Sequence, residues 1–156
     1  MSSFRHQISL SSPEDTARLA KSFAGALAAG DTVLLEGPIG AGKSFFCRAL
    51  IQELLDAPED IPSPTFTIVQ TYDGRDFPIW HCDLYRLTHP DEAWELGLDE
   101  AFENSLCLIE WPDRLGQETP ENALWLNFAS DGGDARKLTL SSNSDHWEKL
   151  REGLDA

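Results

Sequence analysis

Residues 37–44 read Gly-Pro-Ile-Gly-Ala-Gly-Lys-Ser and meet the phosphate-loop pattern G-x-x-x-x-G-K-[ST] at every fixed position. The octet constrains the fold as much as the chemistry, because it works only between a strand and a helix. Thr32-Val-Leu-Leu-Glu36 before it is a short apolar, β-leaning run, and residues 45–55 after it carry apolar side chains at helical spacing. Gly37, Gly40 and Gly42 let the backbone curl so that successive N–H groups point inward at phosphate oxygens. The helix N-terminus adds its partial positive charge, Lys43 reaches the β- and γ-phosphates, and the Ser44 hydroxyl can ligate Mg²⁺. A nucleoside triphosphate site is the expectation.

The rest of the chain supplies a sheet around that unit. Phe4, His6, Ile8 and Leu10 alternate with polar residues as a first strand. Ser12 stands as an N-cap, with Pro13 at the first helical position and Asp15 three residues past the cap, a near-relative of the capping box. Leu19, Phe23 and Leu27 form an apolar stripe on that helix, which Gly30 is expected to end. The phosphate-loop helix should stop before Pro58, and residues 58–64, with prolines at 58, 62 and 64, read as a loop. Residues 65–72 and 77–84 read as strands joined across Asp73-Gly74-Arg75-Asp76. Pro90 opens a short helical stretch through Trp94 and Leu96, broken by Gly97. Residues 106–109 form a buried strand. Residues 123–128 and 137–141 form another strand pair around Asp131-Gly132-Gly133, and a short helix near Trp147 follows. The fold class expected is α/β: a phosphate-loop NTPase-like three-layer sandwich whose central sheet is mixed, parallel at the loop and antiparallel in the hairpins. At 156 residues the chain reads as one domain, able to bury about 70% of its unfolded surface.

Charge narrows the partners. Twelve Lys and Arg against 27 Asp and Glu give a net charge of −15, and the longest basic run is the pair Arg136-Lys137. A protein that grips nucleic acid alone needs a basic stripe to displace counterions. If this chain serves a nucleic-acid pathway, another molecule holds the nucleic acid; acidity for solubility alone explains the charge equally well. Cys47, Cys82 and Cys107 are scattered in apolar stretches and read as buried free thiols in a reducing compartment. The N-terminus has no apolar signal region and no window approaches the ~20 apolar residues of a membrane span. The expected location is the cytoplasm, with no membrane contact.

Further pieces of a nucleotide site can be picked out. Leu106-Cys-Leu-Ile-Glu110 is a buried strand ending in an acid, which is how phosphate-loop proteins place a second Mg²⁺ contact, directly or through water. The alternative is a strand that simply ends at a surface acid. In His81-Cys-Asp-Leu-Tyr-Arg-Leu87, His81, Asp83 and Tyr85 share one face by the period of a strand. Asp83 could ligate Mg²⁺ or orient the attacking water; alternatively it pairs with Arg86. His81 reads as a packed, hydrogen-bonded residue. Thr65, within Ser63-Pro-Thr-Phe66, lies where nucleotide switches carry a Ser or Thr that senses the γ-phosphate and Mg²⁺; ordinary turn chemistry of a Pro-flanked Thr is the alternative. Trp94, Trp111 and Trp125 are assigned to packing, Trp111 standing out only because it follows Glu110. The chain has no Asn-Lys-x-Asp segment of the guanine readers, which favours ATP.

The phosphate loop, then Ser63-Pro-Thr-Phe66, then His81-x-Asp-Leu-Tyr-Arg-Leu87, then Glu110-Trp-Pro112, in that order, closely resembles the TsaE (YjeE) family, small bacterial ATPases of tRNA threonylcarbamoyladenosine synthesis. The resemblance spans roughly residues 8–140. It implies ATP bound at Pro38, Ile39, Gly40, Ala41, Gly42, Lys43, Ser44 and Phe45, with Ser11, Thr16 and Arg136 near the adenine and ribose. It implies Mg²⁺ held by Ser44 and Glu110 with Asp83 near the metal or the attacking water, leaving open which carboxylate is primary. Lys43, Asp83, Glu110 and Thr65 form the implied catalytic set, Thr65 in a switch-like loop. The implied partner is the TsaB–TsaD heterodimer, with tRNA reached only through that complex and slow ATP hydrolysis resetting it between turnovers. Ser44 stands where Thr is common and Pro38 where a polar residue is usual; neither removes a needed group. Two other functions are weighed: a small-molecule kinase, for which the arginines after Lys43 (48, 75, 86, 114, 136 and 151) form no lid-like cluster, and a nucleotide-dependent assembly factor without useful turnover.

Overall fold

The computed structural model describes residues 4–37, 42–55, 69–85, 91–130, 132–133 and 135–150. Its strands are β1 (Phe4–Leu10), β2 (Thr32–Glu36), β3 (Val69–Asp73), β4 (Pro78–Asp83), β5 (Leu106–Glu110), β6 (Leu124–Ser130) and β7 (Arg136–Ser142). Its helices are α1 (Pro13–Ala24), α2 (Lys43–Leu54), α3 (Asp91–Glu95) and α4 (Leu98–Asn104), with 3-10 segments at Pro112–Glu118 and Asp145–Leu150.

The seven strands form one sheet in the order β1-β7-β6-β2-β5-β4-β3. Its centre is parallel: β2 pairs with β5 and β6, and β4 with β5. Its flanks are antiparallel: β1 with β7, β7 with β6, and β3 with β4. The sequence of β2 explains its central place, since Val33, Leu34 and Leu35 are all buried and a continuous apolar run suits a strand covered on both faces. The mixed sheet expected from the sequence is present.

Helices cover both faces. On one, α1 and α2 pack together, with the Phe23 and Phe46 rings edge to face at 5.5 Å and Phe46 against Phe128 of β6 at 5.9 Å. On the other, Leu98 and Ala101 of α4 and Leu115 join Leu34, Cys82, Cys107 and Ile109 in a second apolar cluster. The Asp15 N–H donates to the Ser12 Oγ at 3.3 Å, and the Asp15 carboxylate accepts from the Ser11 N–H at 2.9 Å, the reciprocal exchange of a capping box shifted by one residue.

Two local expectations change, and a third is described only in part. Helix α1 ends at Ala24 with Gly25 as its C-cap, not at Gly30; Leu27 stays buried beyond the helix end, so the apolar stripe outlasts the helix. Gly97, read as a break, is a left-handed link (φ 92°) from α3 into a second helix, α4. The strand expected from residue 65 is described only from Val69; residues 65–68 and the proline-rich loop at 58–64 lie outside the described residues. Among the described residues no helix is long and apolar enough to cross a membrane.

Strand direction positions the site. Because β1, β2, β4, β5 and β6 run the same way, their C-terminal ends share one edge of the sheet. Ser11, Gly37, Asp83 and Glu110 therefore emerge together, with Arg136 entering β7 at the same edge. Ligands of α/β proteins bind in the crevice beyond such strand ends.

Candidate nucleotide site

Both ends of the phosphate loop need glycine. Gly37 has φ 138° and Gly42 has φ 104°, and a Cβ on Gly37 would come 2.5 Å from the Phe128 carbonyl oxygen. The Phe128 backbone thus allows the loop to leave β2 only if residue 37 has no side chain. Pro38, Ile39, Gly40 and Ala41 lie outside the described residues. Gly42 caps α2 without a side-chain hydrogen bond, leaving the first turn's N–H groups to whatever sits in front of it.

Lys43 opens α2 and is buried. Its Nζ donates to the Gly37 carbonyl at 2.7 Å and stands 3.9 Å from the centre of the Trp111 ring. Burial pushes the lysine below its ordinary pKa, and the carboxylates of Glu110, Asp83 and Asp113 push it back up. Glu36, at the end of β2, is raised by burial and by Asp113 and lowered by Lys43. Acids therefore surround the Lys43 ammonium.

Ser44 turns its hydroxyl to the Glu110 carboxylate, with its Oγ 3.0 and 3.2 Å from the two oxygens. Glu110 is only 3% exposed, which rules out the surface-acid alternative. The same carboxylate meets His81 Nε2 at 2.7 Å, while His81 Nδ1, also buried, has no partner among the described residues. His81 is the packed, hydrogen-bonded residue expected, but its partner turns out to be the site's own acid. Asp83 sits beside Glu110 in the parallel ladder and accepts the Tyr85 N–H at 3.1 Å. Burial raises Asp83 first of all; the Tyr85 N–H lowers it, Glu110 raises it, and His81 and Lys43 lower it. Arg86, the alternative partner of Asp83, and Thr65 lie outside the described residues.

The remaining expected positions are spread along the edge. Arg136 pairs with Leu10 and Ser130 in the ladder, and its guanidinium donates to the Gly133 and Ala135 carbonyls at 3.0 and 2.9 Å. Ser11 adjoins it at the end of β1, so the two lie on the opposite side of the phosphate loop from Asp83 and Glu110. Thr16 is buried in α1. Phe45 is partly exposed at 38%. Trp111, assigned to packing, stands instead against the phosphate-loop lysine. It is the sole described non-glycine residue with positive φ (59°), and its ring lies 4.9 Å from that of Tyr85. The sequence signal was its position directly after Glu110.

Comparison with known proteins agrees over nearly the whole chain. The family profile described as threonylcarbamoyl adenosine biosynthesis protein TsaE matches residues 10–138. The tRNA threonylcarbamoyladenosine biosynthesis protein TsaE of Rickettsia bellii is 40% identical over 142 residues, covering 91% of this chain and 99% of that protein. The protein of the same name from Bacillus subtilis is 36% identical over 143 residues, covering 91% and 89%. A crystal structure of YdiB from Bacillus subtilis superposes with a TM-score of 0.78 at 32% identity, covering 99% of this chain and 97% of that one.

Proposed function

This chain belongs to the TsaE family, and from that premise we propose that it binds ATP with Mg²⁺ and hydrolyses it slowly in tRNA threonylcarbamoyladenosine biosynthesis, as the ATPase partner of a TsaB–TsaD heterodimer. The observation that carries the reading is the meeting of Ser44 and Glu110 behind Lys43.

The donor set suits Mg²⁺, a hard cation that takes hydroxyl and carboxylate oxygens and keeps several waters. Ser44 and Glu110 would hold it, with Asp83 beside them. Electrostatics argue for it as well. Lys43 faces Glu110, Asp83, Asp113 and Glu36, and such a pocket would repel a triphosphate unless a dication came with it. When bound, Mg²⁺ neutralises phosphate charge.

Each side chain then has a role. The loop and the start of α2 offer N–H groups to the phosphates. Lys43 exchanges the Gly37 carbonyl for phosphate oxygens, whose negative charge favours the ammonium form that burial disfavours. His81 holds the Glu110 carboxylate through Nε2. Asp83, whose pKa burial raises above that of an ordinary aspartate, is suited to orient the attacking water and take its proton. Thr65 belongs to a loop that responds to the γ-phosphate, and Ser11, Thr16 and Arg136 to the nucleoside side. With a net charge of −15, the chain reaches tRNA only through the complex, and hydrolysis resets that complex between turnovers.

Titration calorimetry with ATP, with and without Mg²⁺, tests the site. Binding that needs Mg²⁺ and weakens about tenfold or more in Ser44→Ala is expected, on the scale of a lost charge-assisted contact. Binding indifferent to both would overturn the assignment.

A further inference from the structure

Cys47 follows Lys43 by four residues on α2, one turn further along the same helix face. Its Sγ, a ring nitrogen of His81 and a carboxylate oxygen of Glu110 all lie within 4.8 Å of one another, and all three residues are buried. The function proposed above uses Glu110 for Mg²⁺ and His81 to hold it, but gives Cys47 no role.

We propose that Cys47, His81 and Glu110 form a binding site for a borderline-soft divalent cation of the Zn²⁺ type, lying beneath the phosphate loop and sharing Glu110 with it. One sulfur, one imidazole nitrogen and one carboxylate oxygen suit Zn²⁺, whereas Mg²⁺ takes oxygen alone. Metal–ligand distances of about 2.0–2.3 Å in a tetrahedron set ligand atoms roughly 3.3–3.8 Å apart. The donors lie within 4.8 Å of one another, and the 2.7 Å hydrogen bond between His81 Nε2 and Glu110 opens to admit the ion. Cys47 gives up its thiol proton on binding, and the fourth position is left to a small exogenous ligand. The binding claim is independent of ATP. Its consequence rests on the reading above: an ion on Glu110 draws the carboxylate from Ser44 and weakens Mg²⁺-dependent nucleotide binding.

The test is Co²⁺ titration of the purified, metal-stripped protein without nucleotide. One Co²⁺ per chain, with a thiolate-to-metal charge-transfer band and four-coordinate visible bands abolished by equimolar Zn²⁺, is expected. Cys47→Ser should lose the charge-transfer band and bind Zn²⁺ more than about tenfold more weakly, while Cys82→Ser and Cys107→Ser retain both. A Co²⁺ spectrum without a thiolate band, or a Cys47→Ser variant equal to the parent, overturns the site. X-ray absorption of the Zn²⁺-loaded parent gives an answer that does not depend on how that variant folds: one sulfur neighbour supports the site and an all-oxygen-and-nitrogen shell refutes it. Because no nucleotide is present, these outcomes stay separate from any failure of the ATPase reading.

Discussion

The Ser44 hydroxyl lies 3.0 Å from Glu110 Oε1, although 66 residues separate the two in the chain. The contact exists because β2 and β5 are parallel neighbours, so the first turn of α2 meets the C-terminal end of β5. From the other side, His81 of β4 holds the same carboxylate. The acid is thus fixed by two partners before any ligand arrives, an arrangement that favours preorganised charge over flexible capture.

Lys43→Ala should lower ATP affinity by about 100-fold or more, since a buried charged donor to phosphate is lost. Circular dichroism should show the fold retained. Normal affinity by calorimetry would refute the assignment of the phosphate loop.

Glu110→Gln keeps a side chain that can bond Ser44 and His81 but removes the charge. Turnover is expected to fall by about 10²–10³-fold, the scale of one lost electrostatic contact in a transition state, with ATP affinity reduced less. Steady-state hydrolysis beside calorimetry separates the two effects.

Asp83 gives a dependence on pH whose sign is fixed. Its folded pKa is raised above the ordinary 3.8, chiefly by burial, so the protonated form is favoured by folding. Its contribution to stability is present below the unfolded pKa and is lost as pH rises through the folded one. At neutral pH the ionised group destabilises the nucleotide-free protein. Asp83→Asn should therefore raise its Tm by a few degrees, on the scale of roughly 2–4 °C per kcal/mol, while impairing hydrolysis. In the parent protein, hydrolysis should fall as pH drops through the raised pKa. Thermal melts and rate profiles across that acid range check both; a lowered Tm in the variant would contradict the account.

Gly37→Ala places a Cβ 2.5 Å from the Phe128 carbonyl oxygen at φ 138°. Strain and clash together should cost about 2–4 kcal/mol, read as a lower urea midpoint. Gly132→Ala, with nothing within 4 Å of the new Cβ at φ 95°, should cost only about 1–2 kcal/mol of backbone strain.

Asp31→Ala tests stability away from the nucleotide. Buried Asp31 accepts from Lys149 Nζ at 2.6 Å and the Ala28 N–H at 2.9 Å, and meets His146 Nε2 at 2.8 Å, tying the last 3-10 segment to the start of β2. Its loss should cost about 1–3 kcal/mol, because His146 and Lys149 can recover water. ATP affinity should be unchanged by calorimetry.

Local features of this fold were legible and long-range ones were not. The strand before the glycine loop and the helix after it, the Ser12 cap and the hairpin of β3 and β4 are each written in neighbouring residues, and the structure has all of them. That Glu110 would end a strand was equally local. That His81 would hold it depends on β4 lying beside β5 in a particular register, which no short window encodes. Trp111 meets Lys43 because the chain turns through φ 59° as it leaves β5, and nothing about a tryptophan announces that turn. Helix α4 was hidden because Gly97 reads as a stop, whereas its left-handed conformation starts a new helix.

The central claim is an ATPase that works for a partner, and hydrolysis by the purified protein, alone and with the TsaB–TsaD pair of the same organism, tests it most directly. Slow turnover alone and clear stimulation by the pair are expected, both lost in Glu110→Gln. Brisk turnover alone, indifferent to the pair, would contradict it.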